Sequence, residues 1–499
     1  MHYTGTLQET HAQAREDIDR EFGAVIDGET RSAASGETFE PTDPAVNEPI
    51  TTVPSCDATD VEAAVEAADA AADEWGGMDA SDREDLLREW VAAMRDHLDE
   101  FALLGALEVG KPLEFARADV ENGLDFLEYY ASVAVAETGE YVPTGDDSHT
   151  YVRREPYGVT GQILPWNYPI LLMGWKVGAA LAAGNTAVVK PPSPAPLSVI
   201  LAGQLAAETL PDGVVNVVPG SGSEVGDPLI DHPRVGKISF TGSVPVGQAI
   251  MRTAADTVTP VTLELGGKNP FIVFPDADVE EAAATVATGG MYNAGQSCDS
   301  ATRILVHEDV KEEFREAYLE ELDGWEPGDP LAEGTTMGPL AYGGHFDDVD
   351  DYVDLGREEG ATLLRGGPLE DEDYADGAFY RPTVFDDVDP EMRIAQEEVF
   401  GPVQFLFEFG DYEEAIEIAN GVDYGLTAGI ATGNPSVAHR AAADVEAGSV
   451  WVNRYFGTVP GTPFGGFKQS GFGRECAAQA IEEHQRAKSV NMAIDEPPY

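Results

Sequence analysis

The stretch 159-VTGQILPWNYPILLMGWKVGAALAAGNTAVVKP-191 decides the fold class of this chain. It opens with a short run rich in β-branched residues, passes through a longer apolar segment at 169–184, and closes with a second short run at 186–191. Two short strands joined by a segment long enough for a helix form a parallel pair, because antiparallel neighbours need only a tight turn. The stretch therefore predicts a strand–helix–strand unit in a parallel sheet.

The same alternation of strand and helix patterns continues downstream. Further elements of the two kinds are predicted at 196–210, 214–220, 236–242 and 246–256, and a second set follows at 269–274, 279–292 and 303–309. A chain of 499 residues is long enough for two or three domains. We therefore predict an α/β protein with two α/β domains.

The segment before this unit is predicted to be largely helical. Apolar residues recur every three to four positions in 59-TDVEAAVEAADAAADEW-75, where Thr59 and Glu62 have the spacing of a capping box. Helix continues to about residue 135. The next segment, 137-ETGEYVPTGDDSHTYVRREPYG-158, alternates and is interrupted by Gly and Asp, which predicts a hairpin arm.

The charge balance is strongly acidic: 91 Asp and Glu face 29 Lys and Arg, for a formal net charge of −62. The acids are spread through segments such as 82-DREDLLREW-90 and 411-DYEEA-415, so a disordered acidic tail is not their source. A folded surface of this charge repels itself at low ionic strength. We interpret it as an adaptation to the salt-saturated cytoplasm of an extreme halophile.

The same charge argues against nucleic acid and anionic membranes as partners. Three cysteines, Cys56, Cys298 and Cys476, cannot form a disulfide framework, which indicates a reducing compartment. The first residues contain no apolar leader, and no run of about 18 apolar residues predicts a membrane span. A cytoplasmic location is therefore expected.

Two glycine-rich segments are candidates for binding a phosphate. The segment 220-GSGSEVG-226 is one residue too long for a dinucleotide fingerprint and is the weaker candidate. The segment 240-FTGSVPVG-247 follows a predicted strand and opens a helix, whose free N–H groups and positive end suit a pyrophosphate. Such turns are also common in α/β folds that bind nothing there.

Three residues are candidates for the chemistry itself. Cys298 lies among small and polar residues in 293-NAGQSCDSATR-303, whereas Cys56 and Cys476 are expected to be inert and buried. Glu264, in 262-TLELGGK-268, is either a strand residue facing solvent or a general base beside a mobile Gly-Gly. Asn167, in 165-PWNYP-169, is either an ordinary turn residue or a rigid amide donor for an oxyanion.

These residues resemble the aldehyde dehydrogenase superfamily. The matching motifs cover nearly the whole chain in the order of the family: 165-PWNYP-169, 189-VKPP-192, 240-FTGS-243, 264-ELGGK-268, 295-GQSC-298, 397-EEVFGPV-403 and 463-PFGGFKQSGFGRE-475. The separation of Glu264 and Cys298, 298 − 264 = 34, also resembles the family.

The resemblance implies a domain organisation. A Rossmann-type cofactor-binding domain would comprise 1–133 and 157–266, and an α/β catalytic domain would comprise 267–469. A β oligomerisation arm, from 134–156 and 482–499, would assemble a homodimer or homotetramer.

The resemblance also implies a mechanism. Cys298 would attack an aldehyde to form a thiohemiacetal, and the Asn167 amide and the Cys298 N–H would hold the oxyanion. Hydride transfer to a nicotinamide would leave a thioester, which Glu264 would hydrolyse by activating water. Lys176 and Glu475 resemble residues that assist proton movement.

The cofactor site is implied in the same way. Lys190 would bind the adenosine ribose; the residues expected near the pyrophosphate are Trp166, Gly242, Ser243 and Gly247, and those expected at the nicotinamide ribose are Glu398 and Phe400. Ser193 departs from the family, because members that prefer NAD often have Glu at that position. A missing carboxylate removes repulsion against a 2′-phosphate, so we expect NADP to be accepted, and whether it is preferred to NAD stays open at this point.

Several alternatives stay open at this point. The first is a CoA-acylating semialdehyde dehydrogenase, although that subclass tends to lack the Glu found at 264. The second is a thiol esterase that needs no cofactor, and the third is a non-catalytic protein of the same fold. The residues expected at the substrate entrance favour an apolar or aromatic aldehyde: Met173, Trp175, Ser297, Asp299, Tyr455, Phe456 and Phe464. Arg454 either attracts a substrate carboxylate or serves a structural salt bridge. Asp299 would raise the pKa of Cys298 only if its side chain points toward the thiol.

Overall fold

The computed structural model describes residues 3–136, 138–145 and 147–494. The predicted domains and arm also include residues 1–2, 137, 146 and 495–499, which lie outside the described residues.

The helices of the described residues are α1 (Leu7–Glu16), α2 (Ala58–Gly77), α3 (Ala80–Asp96), α4 (Leu98–Val109), α5 (Leu113–Val135), α6 (Pro169–Ala182), α7 (Leu197–Thr209), α8 (Asp227–Ile230), α9 (Val244–Thr257), α10 (Val279–Met291), α11 (Lys311–Glu321), α12 (Gly343–Glu359), α13 (Arg393–Gln396), α14 (Tyr412–Asn420), α15 (Pro435–Asp444) and α16 (Ala478–Glu483). The strands are β1 (Ala24–Ile26), β2 (Glu29–Arg31), β3 (Thr38–Phe39), β4 (Thr42–Asp43), β5 (Glu48–Pro49), β6 (Val53–Pro54), β7 (Glu140–Val142), β8 (Ser148–Pro156), β9 (Val159–Ile163), β10 (Thr186–Lys190), β11 (Val215–Val217), β12 (Val235–Gly242), β13 (Val261–Leu265), β14 (Asn269–Val273), β15 (Ala301–His307), β16 (Thr362–Pro368), β17 (Tyr380–Asp386), β18 (Val403–Phe409), β19 (Tyr424–Gly425), β20 (Thr427–Ala431), β21 (Ser449–Val452), β22 (Phe467–Lys468), β23 (Gly471–Phe472) and β24 (Gln485–Ala493).

The first large sheet contains the unit that decided the fold class. Its strand order is β2-β1-β11-β10-β9-β12-β13-β23, and the five strands from β11 to β13 run parallel. β9, α6 and β10 form the predicted strand–helix–strand unit. Helix α6 is buried along its whole length, which explains why its sequence is apolar on every face.

The second large sheet follows the order β16-β17-β18-β15-β14-β20-β21 and is parallel except for its edge strand β16. Each of the two sheets has its own apolar core. The prediction of an α/β fold with parallel sheets is therefore confirmed.

A third sheet stands apart from these cores. β8 lies between β7 and β24, and β24 pairs with it antiparallel from Gln485 opposite Pro156 to Ala493 opposite Ser148. β7 and β8 are the hairpin that the sequence predicts, and the chain end supplies the third strand.

The predicted start of helix α2 is wrong by two residues. The capping residue is Asp57, whose carboxylate accepts from the backbone N of Thr59 at 2.7 Å, while Asp60 accepts from the backbone N of Asp57 at 3.1 Å. Two pairs of residues have the spacing of a capping box, Asp57 with Asp60 and Thr59 with Glu62, and the helix begins at the earlier pair. Glu62 instead pairs with Arg234 at 2.5 Å.

In the described part of the chain, no helix is long and apolar enough to cross a membrane.

Candidate active site

A cavity of about 740 Å³ lies at the carboxyl ends of strands β9, β10 and β12, where residues of both large sheets meet. This is the usual place for a ligand in an open parallel sheet. Nine of the predicted site residues line it: Trp166, Asn167, Lys190, Ser193, Gly242, Ser243, Cys298, Glu398 and Phe400. Glu264, Lys176, Glu475 and Gly247 are not among the lining residues.

Cys298 reaches the cavity from the loop that follows helix α10. Its carbonyl accepts from Asn269 Nδ2 at 2.8 Å, and a Cβ on Gly267 would lie 2.5 Å from the same oxygen. The cysteine loop therefore packs directly on the Gly-Gly that follows Glu264. Burial raises the pKa of the Cys298 thiol, and nearby carboxylates, first Asp299, raise it further.

The arrangement of Asp299 answers one question that the sequence left open. Its Oδ1 accepts from Ser297 Oγ at 2.5 Å, and burial raises the pKa of its carboxyl. Asp299 still disfavours the thiolate of Cys298. The surroundings of Cys298 therefore favour the thiol over the thiolate, and a base is needed when the sulfur attacks.

Asn167 is held from several sides. Its backbone carbonyl accepts from Lys111 Nζ at 3.1 Å and from Asn293 Nδ2 at 3.2 Å, while its own Nδ2 donates to the Gln296 carbonyl at 3.0 Å. A primary amide carries two N–H bonds, so one remains for a ligand. The rigid turn that the sequence predicts around Asn167 is present.

Glu264 lies on β13 and is buried, so its interpretation as a solvent-facing strand residue is wrong. One carboxylate oxygen, Oε2, has no hydrogen-bond partner among the residues that the structure describes. Burial raises the pKa of Glu264 well above its usual range, and the charge of Glu475 adds to the effect. A carboxylate whose pKa is raised is a stronger base than an ordinary carboxylate, which suits Glu264 to accept a proton.

Lys176 and Glu475 form an ion pair beside Glu264. Lys176 Nζ lies 2.6 Å from Glu475 Oε1 and 3.2 Å from Ser239 Oγ, and the lysine side chain is fully buried. The positive charge of Lys176 lowers the pKa of Glu264, whereas Glu475 raises it. The pair acts on the proposed base through charge and does not reach the cavity itself.

The far end of the cavity contains the glycine-rich segments that the sequence predicts to bind a phosphate. Gly242 ends β12, and Ser243, which precedes α9, does not cap the helix with its side chain. Pro245 has no N–H, so a ligand could use only the other N–H groups of the first turn. Gly222 and Gly226 of the weaker glycine-rich candidate also line this end. Gly247 is not among the residues that line the cavity. A Cβ there would lie 2.6 Å from Leu265 Cδ2, so the glycine allows α9 to pack closely on β13.

Lys190 and Ser193 lie on the same wall. Lys190 Nζ donates to the Pro191 carbonyl at 2.9 Å, and burial lowers the pKa of Lys190 to about 8. Ser193 Oγ donates to the Gly220 carbonyl at 2.9 Å. Asp227 is the carboxylate that lines this end of the cavity.

Glu398 and Phe400 lie at the end of the cavity that holds Cys298. Glu398 accepts from the Gly267 backbone N at 2.9 Å, and burial raises the pKa of its carboxyl to about 7. Phe400 has a positive φ of 61°, and its ring meets Trp166 edge-on with 5.4 Å between centroids. Glu398 brings the cavity wall against the glycines that follow Glu264.

His345 lines the cavity, and sequence reasoning missed it. Its ring packs on Trp166 at 5.2 Å, and its Nε2 lies 2.9 Å from the Phe400 carbonyl, to which only an N–H can donate. Burial lowers the pKa of His345, so the ring is neutral with its proton on Nε2. No motif surrounds this histidine, and it is 345 − 166 = 179 positions from Trp166, so no sequence signal could have found it.

The residues predicted at the substrate entrance form aromatic contacts. Tyr455 Oη donates to the Asp299 carbonyl at 2.8 Å, and Phe456 packs on Tyr292 at 5.6 Å. Arg454 is exposed and, among the residues that the structure describes, has no carboxylate partner. The structural salt bridge considered for Arg454 is therefore absent from this part of the chain.

The model of the aldehyde dehydrogenase family matches residues 31–490. The chain belongs to this family. Among solved structures, a mutant indole-3-acetaldehyde dehydrogenase of P. syringae in complex with NAD+ and IAA is 38% identical, with 98% of this chain and 100% of that chain covered and a TM-score of 0.95. Betaine aldehyde dehydrogenase of Staphylococcus aureus in complex with NAD+ is 36% identical, with 98% of each chain covered and the same TM-score of 0.95. The aldehyde dehydrogenase KauB of Pseudomonas aeruginosa is 38% identical, with 98% and 100% covered and a TM-score of 0.95.

These similarities extend over almost the full length of each chain. They confirm the predictions of an aldehyde dehydrogenase fold and of an NAD(P)-dependent aldehyde dehydrogenase.

Proposed function

We propose that this aldehyde dehydrogenase oxidises its substrate through a covalent intermediate on Cys298, with Asn167 as oxyanion donor and Glu264 as general base. One observation carries the proposal: the Cys298 thiol and the Asn167 amide line the same cavity, and buried Glu264 lies on the strand that leads into the Gly-Gly beneath the cysteine loop. A nucleophile, an oxyanion donor and a base within one site are the groups that acyl chemistry requires.

The steps follow from these groups. The Cys298 sulfur adds to the aldehyde carbon as its proton passes to Glu264, which then releases the proton to solvent. The carbonyl oxygen becomes an oxyanion held by the free Asn167 N–H and the Cys298 backbone N–H. The resulting thiohemiacetal loses hydride and becomes a thioester. Glu264 then takes a proton from water, the hydroxide attacks the thioester, and the carboxylic acid leaves as the thiol is restored.

A nicotinamide dinucleotide fits the residues that line the cavity. Gly242, Ser243 and the start of α9 would hold the pyrophosphate, Lys190 would hold the adenosine ribose, and Glu398 would hold the nicotinamide ribose. When bound, the cofactor supplies the hydride acceptor. The side chains of Phe400 and Trp166 would limit where the nicotinamide ring can lie, because they pack against each other in the cavity wall.

Cys298→Ala tests the proposal most directly. It should abolish both aldehyde oxidation and ester hydrolysis, whereas Cys56→Ala, a matched change of a fully buried cysteine outside the cavity, should retain both. Glu264→Gln should release about one NAD(P)H per subunit in a burst and then stall at the thioester. Asn167→Ala should lower kcat by about 10²–10³-fold. Oxidation that survives in Cys298→Ala would overturn the mechanism.

The presence of a buried carboxyl at 264 favours hydrolysis over acyl transfer to CoA. Adding CoA should therefore leave the rate unchanged. A thiol esterase would hydrolyse esters but would form no NAD(P)H when it is given an aldehyde and the cofactor. Measuring both reactions therefore distinguishes a thiol esterase from an aldehyde dehydrogenase.

We also propose that the enzyme accepts NADP+ as well as NAD+. Ser193 brings no carboxylate to the wall where Lys190 lies, so a 2′-phosphate would meet a cation without direct repulsion at that position. Ser193→Glu should shift the ratio of kcat/KM values toward NAD+. An unchanged ratio would place the determinant elsewhere, with Asp227 as the next residue to replace.

The substrate proposed from the aromatic residues near Cys298 is an apolar or aromatic aldehyde. Benzaldehyde, acetaldehyde, succinate semialdehyde and glyceraldehyde, assayed side by side, would order the preferences. A clear preference for succinate semialdehyde would show that Arg454 attracts the substrate carboxylate.

Adaptation to high salt and assembly through the arm are further parts of the proposal. Five of the eight lysines, which are Lys111, Lys176, Lys190, Lys237 and Lys268, are buried, so few lysines remain on the surface. Tyr141, Val142 and Met492 of the arm are exposed apolar residues that a second copy would cover. Light scattering over a range of KCl concentrations should show a dimer or tetramer that is lost at low salt. All three cysteines are free, as suits a reducing cytoplasm.

A further inference from the structure

The segment 108-EVGK-111 comprises the last two residues of helix α4 and the first two of the turn that leads to α5. It lies outside the motifs singled out in the sequence, yet two of its side chains reach toward the active site. Glu108 and Lys111 are both buried, at 0% and 3% exposure. Neither lines the cavity. Buried charges are costly unless their hydrogen bonds and charge partners compensate, so their contacts indicate what they stabilise.

Glu108 holds the start of helix α7. Its carboxylate accepts from the backbone N of Leu197 at 2.7 Å and of Ser198 at 3.2 Å, and also from the Ser198 hydroxyl. The local capping residue of α7 is Pro196, which offers no side-chain hydrogen bond. Glu108 therefore acts as a distant cap, and it anchors the loop 191–196, which carries Ser193 along the cavity wall.

Lys111 holds the turn that carries Asn167. Its Nζ donates to the Asn167 carbonyl at 3.1 Å, forms an ion pair with Asp119, and lies 3.7 Å from the centre of the Tyr168 ring. Asp119 is held in turn by Tyr292 Oη at 3.1 Å. The ammonium thus fixes the backbone on which the proposed oxyanion donor is placed.

Gly110 fixes the turn between these two residues. It has a positive φ of 81°, and a Cβ there would lie 2.7 Å from Pro339 Cγ. Leu113 N donates to the Pro330 carbonyl at 3.0 Å just beyond it. The turn is therefore clamped against the chain that leads to His345, and it cannot shift without moving both contacts.

We propose that Glu108 and Lys111 are positioning residues for the two halves of the active site, Glu108 for the cofactor loop and Lys111 for the oxyanion turn. The inference rests on the proposed roles of Asn167 and of the loop that carries Ser193. It predicts that Glu108 affects the KM for the cofactor and that Lys111 affects kcat, although the two residues are only three positions apart.

Replacing each residue should therefore change a different kinetic constant. Lys111→Met should lower kcat for oxidation and for cofactor-free ester hydrolysis by about tenfold or more, with the KM for NAD(P)+ within about twofold of the parent, because a displaced donor costs transition-state stabilisation. Glu108→Gln should raise the KM for NAD(P)+ by about threefold or more and leave ester hydrolysis unchanged. Lys111→Arg should recover part of the lost kcat.

Two controls keep the test interpretable. Lys111→Met leaves Asp119 without its partner, so Lys111→Met combined with Asp119→Asn is measured as well and should show the same loss of kcat. Lys311→Met removes another largely buried lysine that is paired with a carboxylate, Asp386 at 3.1 Å, far from the cavity lining, and should change neither constant.

Equal changes in all constants for both variants, or no change in either folded variant, would overturn the inference. Cys298→Ala in the same assays reports on the mechanism alone. If that variant is inactive while Glu108→Gln and Lys111→Met behave like the parent, the mechanism stands and the inference fails.

Discussion

The ion pair between Lys176 and Glu475 should set the pH at which Glu264 works as a base. Both partners are buried beside Glu264, with 2.6 Å between Lys176 Nζ and Glu475 Oε1. Glu264 Oε1 lies 2.8 Å from where a Cβ of Gly465 would be, and the neighbouring Phe464 pairs with Glu475 through two backbone hydrogen bonds. Breaking the pair on one side or the other should therefore move the pKa of Glu264 in opposite directions.

The size of the effect follows from the charges. A charge within about 4–6 Å moves a carboxyl pKa by about 1–3 units, and each unit corresponds to about 1.4 kcal/mol. Glu475→Gln removes a like charge and leaves the positive charge of Lys176, so the pKa of Glu264 should fall. Lys176→Met removes the positive charge and leaves two carboxylates near each other, so the pKa of Glu264 should rise.

The assay is the pH dependence of thioester hydrolysis. With p-nitrophenyl acetate, the burst reports acylation of Cys298 and the steady phase reports hydrolysis, which requires ionised Glu264. The midpoint of the rising limb should move to lower pH in Glu475→Gln and to higher pH in Lys176→Met, and should return near the parent value when both changes are combined.

Lys176→Arg retains the charge and serves as the matched control, with a midpoint close to that of the parent. A shift of both single variants in the same direction, or none in folded protein, would refute the electrostatic role of the pair. Thermal unfolding of each variant confirms folding, since a buried charge that loses its partner costs about 3–5 kcal/mol.

Other consequences can be measured on the same protein. Burial lowers the pKa of Lys190 to about 8, so the KM for NADP+ should rise as the pH increases past this value, while that for NAD+ changes less. Burial alone would lower the pKa of His11, but hydrogen bonds to two carboxylates outweigh it and raise the pKa to about 9. The stabilisation is then complete below the unfolded pKa of about 6.5 and is lost as the pH rises through about 9, so the free energy of unfolding should fall by about 3 kcal/mol across this range in the parent but not in His11→Gln. Gly247→Val should lower the free energy of unfolding by about 1–3 kcal/mol, because its Cβ would meet Leu265 at 2.6 Å. Thermal unfolding should show this as a lower melting temperature.

The backbone plan could be predicted from the sequence because its signals are local. The β9–α6–β10 unit shows strand and helix patterns within one stretch, and its buried helix is apolar throughout. The start of α2 could not be fixed, because two capping patterns overlap by two residues and only the three-dimensional contacts of Asp57 decide between them.

The candidate site was predictable only as far as motifs extend. Family motifs contain Cys298, Asn167 and Glu398, and all three residues line one cavity in the structure. His345 and Lys111 lie outside those motifs and reach the site through contacts between distant segments. The sequence places Gly247 in a candidate phosphate-binding segment. Its close approach to Leu265 depends on how α9 packs on β13, and no motif indicates that contact.

The order of the chain also has a consequence for biosynthesis. β23, which pairs with β13 beside Glu264, and then Glu475 and β24 all follow residue 470. Cys298 is translated some 180 residues earlier than Glu475. Because domains fold as their residues leave the ribosome, the nascent chain holds a thiol without the complete surroundings of its base. The enzyme should therefore become active only after the segment through Glu475 has been translated and has packed beside Glu264.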